Sequence, residues 1–204
     1  MKEVVLITGA NGMLAKCLAL ELDGEYTLKF LTRKVKQENA YRWDINLGYI
    51  DPEGLKGVNH IIHLAGSPIA EKRWTPERKR EIKKSRVDGA QLMLDELQKN
   101  NQKIDTFISA SAIGYYGDRG TTSVDEYSSK GDGFLSETCS QWEQASSVAG
   151  EAGIRVSHLR SGVVISPLGG ALAKLLLPTK MGGGGPVGGG RQIQSWISLD
   201  DEIY

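Results

Sequence analysis

Short apolar runs alternate with longer amphipathic stretches along the chain. The runs are rich in β-branched and apolar residues, as is typical of strands buried on both faces of a parallel sheet: EVVLIT (3–8), YTLKFLT (26–32), HIIHLA (60–65), DTFISA (105–110) and VSHLRSGVVI (156–165). Three stretches between them have the helical spacing of apolar residues, at 12–22, about 76–99 and 134–152. This alternation predicts an α/β fold, in which a doubly wound parallel sheet carries helices on both faces and right-handed crossovers.

The longest predicted helix has clear start signals and an unusual residue on its apolar stripe. Thr75 suits the N-cap, Pro76 the first helical position, and Glu77 the positive end of the helix dipole. The stripe expected to face the sheet consists of Ile82, Gly89, Ala90, Met93, Leu94 and Leu97. Arg86 falls on the same stripe, so its guanidinium is expected to be buried and to need a partner.

Composition and charge exclude some kinds of partner. The 204 residues carry 25 Lys and Arg against 25 Asp and Glu, and this zero net charge argues against a protein that binds nucleic acid or anionic membranes. Glutamates are interspersed in the basic cluster KRWTPERKREIKKSR (72–86), which is interpreted mainly as a solvated helix face. The apolar run that follows Lys2 and Glu3 is too short for a signal peptide, and no stretch approaches a membrane span. The cytoplasm is therefore the expected location.

Thiols and imidazoles give no sign of a metal site. Cys17 and Cys139 are expected to be free thiols in a reducing compartment. His60 and His63 alternate along a predicted strand, which favours core or strand-end roles over metal ligation. No spacing of carboxylates or cysteines predicts a metal site.

The first predicted strand leads into a glycine-rich turn and a helix start, VVLITGANGMLA (4–15). Gly9 permits a tight turn, and Gly12 lets the backbone approach a pyrophosphate that the first helical amides then bind. Ala15 is the small residue where this helix packs on the strand. In this context the motif predicts a dinucleotide site in a Rossmann-type sheet of strand order 3-2-1-4-5-6, the alternative being a purely structural turn.

The end of the second predicted strand bears on the choice of cofactor. An acidic residue at this position would bind the ribose 2′-hydroxyl of NAD. Here the chain has Thr32 and Arg33, followed by Lys34 and Lys36. A hydroxyl and a cation suit a 2′-phosphate, so NADP is favoured over NAD. The alternative is that Arg33 is an ordinary surface arginine.

Several further segments carry a family resemblance. They are HLAG (63–66), SASAIGYYG (109–117), CSQWE (139–143), RSGVVISPLGGAL (160–172) and GGGGPVGGG (182–190). Together with the glycine turn they make the chain similar to the extended short-chain dehydrogenase/reductases. More narrowly, it resembles the atypical NAD(P)-dependent epimerase/dehydratase-like proteins often labelled nucleoside-diphosphate-sugar epimerases. The resemblance covers essentially the whole chain.

Domain boundaries follow from the same resemblance. Residues 1–168 are expected to form the NAD(P)-binding domain, and 169–204 a glycine-rich loop and the start of a substrate-side region. Members of the family continue further into a smaller substrate-covering part, so the resemblance implies a C-terminally truncated chain in which that part is largely missing. The run 182–190 lacks the Lys-Ser/Thr of a phosphate loop. It is expected to form a mobile turn near the substrate mouth, with a plain flexible linker as the alternative.

The resemblance implies a set of cofactor contacts. Those at the phosphate turn are Gly9, Asn11, Gly12, Met13 and Leu14, and those at the adenosine phosphate are Thr32 and Arg33. Further along the cofactor the expected residues are Leu64 and Ala65, with Val164 approaching the nicotinamide. Glu81 and Arg86, on the long helix, would face the pocket.

The family's usual catalytic groups are an Asn, a Ser, a Tyr and a Lys. The Ser is retained as Ser111, whereas Arg86 stands at the Asn position, Cys139 at the Tyr position and Glu143 at the Lys position. A thiol is a weak hydrogen-bond donor, and a carboxylate cannot activate a neighbour by positive charge. These changes argue against the usual Tyr–Lys mechanism.

Other groups remain as candidates for proton transfer. Tyr115 and Tyr116 lie in GYYG, where Tyr116 resembles a substrate-side tyrosine of the family, and Glu143 could act as a base. Alternatively, both tyrosines only pack and hydrogen-bond the loop. Because Lys is replaced by Glu while Asn is replaced by Arg, the summed charge of the four positions is unchanged. We therefore expect Arg86 and Glu143 to face each other, directly or through one water.

Two functions are compatible with these features. The first is an NADP-dependent oxidoreductase or epimerase-like enzyme with a degenerate tetrad, acting on a small polar substrate such as a nucleotide sugar. The second is an NADP-binding sensor or regulatory protein without turnover.

Overall fold

Seven strands form the central sheet of the computed structural model, which describes residues 2–186 and 189–204. The strands are β1 (Val4–Thr8), β2 (Thr27–Thr32), β3 (Ala40–Asp44), β4 (Tyr49–Ile50), β5 (His60–His63), β6 (Thr106–Ala110) and β7 (Arg155–Leu159). Their order is β4-β3-β2-β1-β5-β6-β7, and every pair is parallel except β3 with the short β4. The six parallel strands therefore have the predicted order 3-2-1-4-5-6, and the Rossmann-type fold is confirmed.

Helices connect these strands on both faces of the sheet. They are α1 (Met13–Glu21), α2 (Pro52–Leu55), α3 (Pro76–Lys99), α4 (Phe134–Glu151), α5 (Gly170–Pro178) and α6 (Leu199–Ile203). The three helices predicted from the apolar spacing are α1, α3 and α4, and their bounds differ from the prediction by at most one residue. Along the described chain, no helix combines the length and the apolar character needed to span a membrane.

Alternating strand residues fill two separate cores. Leu6, Ile61 and Phe107 are fully buried on the face covered by α3 and α4. Val5 and Ile7 point to the opposite face and pack with Ala15 of α1. Because alternate residues pack on opposite faces, each strand is anchored on both sides of the sheet. The positions of the strand ends and of the loops that follow them are therefore fixed.

The long helix α3 begins and packs as its sequence predicts. The Thr75 hydroxyl accepts a hydrogen bond from the Arg78 amide and caps the helix, with Pro76 in the first turn. The whole apolar stripe is buried, and so is Arg86, which is 9% exposed. A Cβ at Gly89 would lie 3.3 Å from the His63 ring, so the glycine allows α3 to approach the sheet closely.

The run 156–165 is not one strand, contrary to the prediction. β7 ends at Leu159, the chain leaves the central sheet at 160–162, and β8 (Val163–Ser166) pairs with β9 (Trp196–Ser198) in a separate two-stranded sheet. At Gly162 the backbones approach so closely that a Cβ would lie 3.0 Å from the Ser195 carbonyl oxygen. The split places Arg160 directly after β7, at the carboxyl edge of the central sheet.

Strand β3 was not predicted from the sequence. Only Trp43 of its five residues is buried, and Arg42 is exposed, so the strand lacks the continuous apolar run of its neighbours. Of the predicted glycine-rich turn at 182–190, Val187 and Gly188 lie outside the described residues. The domain boundary after residue 168 stays a prediction.

Candidate functional site

A cleft of about 480 Å³ opens at the carboxyl ends of the central strands. The turns after β1 and β5, the end of β2 and the loop after β3 form its walls. In open α/β sheets ligands bind at this edge, where the strand order reverses, and here β1 lies between β2 and β5. Eight of the predicted cofactor residues line the cleft: Gly9, Asn11, Gly12, Thr32, Arg33, Leu64, Ala65 and Glu81.

The glycine turn has the geometry that a phosphate-binding turn requires. Gly9 has φ +74°, and a Cβ there would lie 3.2 Å from the backbone of Ala65. The Gly12 amide donates to the Gly9 carbonyl over 2.7 Å, and Gly12 precedes α1 without a side-chain cap. The first amides of α1 are thus free to bind an anion, and a pyrophosphate fits this turn.

A basic recess of about 390 Å³ adjoins the cleft. Asn11, Thr32, Arg33, Lys34 and Lys36 line it, and no carboxylate occurs among these lining residues. The Thr32 hydroxyl oxygen accepts hydrogen bonds from the Asn11 amide at 3.4 Å and from the Lys34 backbone at 3.3 Å. Three cations around a fixed hydroxyl suit a phosphate dianion.

Strand β3 contributes a wall of the cleft that was not predicted from the sequence. Trp43, Asp44, Ile45 and Asn46 line the cleft at the end of this strand. The Asp44 carboxylate accepts a hydrogen bond from the Asn46 amide at 3.0 Å, which orders the turn. A polar residue at the end of a short strand, Asp44, could have predicted this wall, but the strand itself was not predicted.

The Thr8 hydroxyl supports the turn that follows β5. Its oxygen accepts hydrogen bonds from the amides of Leu64, at 3.1 Å, and Ala65, at 3.0 Å. Its single proton is therefore donated to His63 Nδ1, 2.9 Å away. These bonds fix the backbone of the two residues expected to lie along the cofactor.

His63 has the core role expected from the sequence. The ring is fully buried and lies edge-on to Trp43 and Trp142, with centroid distances of 6.2 and 6.1 Å. Burial lowers the pKa of His63 to about 4, so the ring is neutral and, with Nδ1 accepting from Thr8, carries its proton on Nε2. In the described part of the chain, Nε2 has no hydrogen-bond partner.

Arg86 fastens the loop after β5 to α3. Its Nη1 donates to the carbonyl oxygens of Ser67, at 3.1 Å, and Ile82, at 3.0 Å, and its guanidinium lies 5.1 Å from the Trp142 ring centroid. Burial lowers the pKa of Arg86. A Cβ at Gly66 would lie 2.8 Å from the guanidinium carbon, so this glycine makes room for the buried cation.

Glu81 closes the same loop from the cleft side. Its carboxylate accepts hydrogen bonds from Arg78 Nη1 at 2.6 Å and from the Ser67 hydroxyl at 3.1 Å. The hydrogen bond from Arg78 is the main reason that the pKa of Glu81 is lowered. Glu81 therefore lines the cleft as a fixed anion.

A second cluster lies at the ends of β6 and β7. The Ser111 hydroxyl donates to Glu143 Oε1 over 2.6 Å, and Arg160 binds the same carboxylate through Nε and Nη2, each at 2.9 Å. Burial favours the protonated form of Glu143, but the hydrogen bonds from Arg160 and Ser111 outweigh it and the pKa of Glu143 is lowered. Its hydrogen bonds to Glu143 in turn raise the pKa of Arg160.

Of the two arrangements predicted for Arg86 and Glu143, the direct contact is wrong, and a contact through one water stays a prediction. The guanidinium that pairs with Glu143 is that of Arg160, while Arg86 donates to backbone carbonyls of its own neighbourhood. Arg160 was missed because the run 156–165 was interpreted as one strand, which placed this residue in a strand interior. A residue that directly follows a parallel strand is a site candidate, and the split strand supplies that signal.

The two adjacent tyrosines, Tyr115 and Tyr116, both contact the guanidinium of Arg160. Arg160 Nη1 donates to the Tyr116 phenol oxygen at 3.0 Å and to the Glu126 carbonyl oxygen at 3.2 Å. The guanidinium carbon lies 3.6 Å from the Tyr115 ring centroid. Tyr116 is buried, being 8% exposed, and joins the cluster through its hydroxyl.

Cys139, at the position of the usual tyrosine, is buried beside this cluster. Burial raises the pKa of the thiol and Glu143 adds to the increase, while Arg86 and a hydrogen bond with Ser111 oppose it. The thiol is neutral and is neither a strong acid nor a nucleophile near neutral pH. Cys17 and Cys139 are both free, as predicted.

The other predicted cofactor residues, Met13, Leu14, Arg86 and Val164, do not line the cleft. Met13 and Leu14 form the first turn of α1 and are half-buried. Val164 lies on β8, paired with Ile197. A Cβ at Gly169, just after β8, would lie 3.2 Å from the Met13 sulfur, so this segment reaches the glycine turn.

Glu3, His60 and Asp105 place ligand-type atoms within 4.8 Å of one another. They lie at the amino ends of β1, β5 and β6, the edge opposite the cleft. His60 Nε2 is 3.2 Å from a Glu3 carboxylate oxygen. The group takes no part in the site described above.

A doubly wound sheet with an anion-binding glycine turn at its switch point defines a dinucleotide-binding protein of the Rossmann class. Residues 5–201 match the family model described as the NAD dependent epimerase/dehydratase family. The chain belongs to this family, as the resemblance implied.

Proteins with related sequences carry the same description. An epimerase family protein of Mycobacterium bovis is 36% identical over 202 residues, covering 98% of this chain and 66% of that protein. A chloroplastic epimerase family protein of Arabidopsis thaliana is 35% identical, with 98% of this chain and 60% of the plant protein covered. The chain thus spans about two thirds of the length of the curated relatives it matches.

Solved structures share the fold. A nucleoside-diphosphate sugar epimerase from Corynebacterium glutamicum is 35% identical with a TM-score of 0.84, covering 100% of this chain and 42% of that one. Human epimerase family protein SDR39U1, solved with NADPH, is 30% identical with a TM-score of 0.87, covering 98% of this chain and 67% of the human chain. A UDP-glucuronic acid 4-epimerase from Bacillus cereus, at 20% identity and a TM-score of 0.82, shows likeness of fold alone.

Proposed function

We propose that this chain binds NADP(H) in preference to NAD(H) and forms the cofactor-binding part of an enzyme that acts on a small polar substrate. The observation that carries the cofactor preference is the basic recess, where Arg33, Lys34 and Lys36 surround the Thr32 hydroxyl without a carboxylate among the lining residues. The NADPH in the human relative supports the same preference. In this cleft the glycine turn would hold the pyrophosphate and Arg33 the 2′-phosphate.

Calorimetric titration tests the cofactor preference. NADPH should bind more tightly than NADH, and Arg33→Ala should weaken NADPH by about tenfold to a hundredfold, the value of a lost charge-assisted hydrogen bond, while leaving NADH nearly unchanged. Arg80→Ala is the matched control, because Arg80 is exposed and pairs only with Glu77 on the surface of α3. Equal affinities for the two cofactors, or an equal loss of both in Arg33→Ala, would refute the proposal.

The substrate class rests on the C. glutamicum relative, whose description as a nucleoside-diphosphate sugar epimerase favours a nucleotide sugar. The bound nicotinamide would supply hydride transfer, and the chain would supply the groups that bind and orient the substrate. Ser111 and Tyr116 are the candidate substrate contacts. Hydrogen bonds from Arg160 and Ser111 lower the pKa of Glu143 and make its carboxylate a weak base, which favours a structural and electrostatic part for this residue.

A second candidate function, NADP binding without turnover, is favoured by one observation. The groups at the usual Tyr and Lys positions are a neutral buried thiol and a carboxylate bound by Arg160. Neither can exchange a proton readily near neutral pH. Hydride transfer from NADPH to a panel of carbonyl compounds and nucleotide sugars, measured on a full-length relative, separates the two functions. Turnover that falls about a hundredfold in the Ser111→Ala equivalent, with NADPH binding intact, supports the enzyme.

A further inference from the structure

Arg160 connects the three segments around Ser111 and Tyr116, the candidate substrate contacts. This part of the site is called the reaction end. From the end of β7 it reaches Glu143 on α4 through Nε and Nη2, and it reaches Tyr116, after β6, through Nη1. The Tyr115 ring lies against the guanidinium, with 3.6 Å between the guanidinium carbon and the ring centroid. All three guanidinium nitrogens are therefore engaged, and the group is fixed in orientation.

The hydrogen bonds of Ser111 leave it as an acceptor. A hydroxyl has one proton, and the Ser111 proton is donated to Glu143 Oε1 at 2.6 Å. Because Arg160 keeps Glu143 ionised, the carboxylate can only accept. Ser111 therefore offers lone pairs, rather than a proton, to anything bound beside it.

The hydrogen bond of Tyr116 leaves it as a donor. A guanidinium has no acceptor, so the phenol oxygen accepts from Arg160 Nη1 at 3.0 Å. Among the hydrogen bonds of the described residues, this is the only one that the phenol oxygen makes. The phenol proton is thus free for a bound molecule.

From these bonds we infer that Arg160 is a positioning residue that sets the direction of hydrogen bonding at the reaction end, with Tyr116 as donor and Ser111 as acceptor. The inference rests on the proposed function, because it concerns the substrate side of the same site. A hydroxylated substrate suits this arrangement, since its hydroxyls can donate to Ser111 and its reacting oxygen can accept from Tyr116. In the usual Tyr–Lys pair, a lysine cation lies beside the tyrosine phenol. Here Arg160 and Tyr116, at other positions of the chain, form a comparable pair of cation and phenol.

Ultraviolet resonance Raman spectroscopy tests the arrangement without a substrate, because the tyrosine doublet reports whether a phenol oxygen accepts a hydrogen bond. The difference between the native protein and Tyr116→Phe isolates the doublet of Tyr116. We expect the signature of a phenol that accepts from a cation. Arg160→Lys should retain it and Arg160→Met should lose it. Arg119→Met is the matched control, because Arg119 donates to the Tyr116 carbonyl oxygen and not to the phenol.

One further variant keeps the test decisive. If Arg160→Met leaves Glu143 unpaired and fails to fold, the double variant Glu143→Gln with Arg160→Met removes both charges and should also lose the signature. An unchanged doublet in either folded variant would overturn the inference.

Turnover gives a separate readout. With NADPH and 9,10-phenanthrenequinone as the carbonyl probe, Tyr116→Phe and Arg160→Met should each lower kcat about a hundredfold with little change in KM, and Arg160→Lys should recover to within about tenfold. Equal losses in the Lys and Met variants would contradict the positioning role. If the native protein binds no NADPH, the proposed function fails, and the Raman result still decides the role of Arg160.

Discussion

At the scale of single residues, one hydroxyl determines which nitrogen of a buried imidazole carries the proton. Two backbone amides occupy the Thr8 oxygen as donors, so its proton is given to His63 Nδ1. The imidazole must then hold its own proton on Nε2 and remain uncharged. The chain thereby couples the turn beside the cofactor cleft to an acid-sensitive group in the core.

This coupling predicts an acid-dependent loss of stability. The pKa of His63 is about 4 in the folded protein, against an ordinary 6.5, so the unfolded chain binds more protons between these values. The contribution is fully present above about pH 6.5 and is lost as the pH falls toward 4, amounting to roughly 3 kcal/mol. Urea unfolding of the native protein and His63→Asn between pH 4 and 7 should give diverging profiles, whereas parallel profiles would contradict it.

At the scale of elements, the loop after β5 is held by a buried cation on α3. Arg86 donates a hydrogen bond to the carbonyl oxygen of Ser67, and Gly66 provides the space that the guanidinium fills. A buried guanidinium is tolerated only while its hydrogen bonds are made. The cleft wall therefore depends on the absence of one methyl group.

Gly66→Ala should accordingly destabilise the protein by about 2–3 kcal/mol, because the new Cβ would displace the guanidinium and break its bonds to backbone carbonyls. Gly185→Ala is the control, since no atom of the described residues lies within 4 Å of a Cβ at that position. Chemical denaturation of both variants measures the difference. Similar midpoints for the two variants would show that Arg86 moves without cost.

Element prediction succeeded where apolar periodicity was strong and failed where it was weak. Strand β1 and helix α3 bury continuous apolar stripes, so their pattern alone revealed them. Strand β3 buries only Trp43, and its loss from the prediction hid the cleft wall at Asp44. The direct contact of Arg86 with Glu143, one of the two predicted arrangements, was wrong for a different reason. Charge conservation does not specify which arginine is near a carboxylate, and Arg160 was concealed inside a strand that in fact ends at Leu159.

At the scale of the whole molecule, one edge of the sheet carries both the cleft and the Ser111–Glu143–Arg160 cluster. Residues after β1, β2 and β5 line the cleft, and Ser111 after β6 and Arg160 after β7 form a hydrogen-bonded cluster with Glu143 of α4. Two apolar cores hold these strand ends in a common frame. In contrast, α5 buries none of its residues.

This difference predicts unequal protection from hydrogen exchange. Amides of β1, whose core residues Leu6 and Ile7 are fully buried, should exchange only through global unfolding. Amides of α5 should exchange far faster through local opening. Mass-spectrometric exchange of the protein without ligand measures both, and comparable protection of the two elements would contradict the prediction.

The bidentate pair of Arg160 with Glu143 also limits how this chain could be converted to the more common chemistry of its family. A lysine returned to position 143 would face the guanidinium at the distance where the carboxylate now binds, and two cations would repel each other in a half-buried space. Conversion to a Tyr–Lys pair therefore requires a third substitution at Arg160, made together with those at Cys139 and Glu143. A single substitution at Glu143 or at Arg160 would leave an unbalanced charge, so these two positions would have to change together.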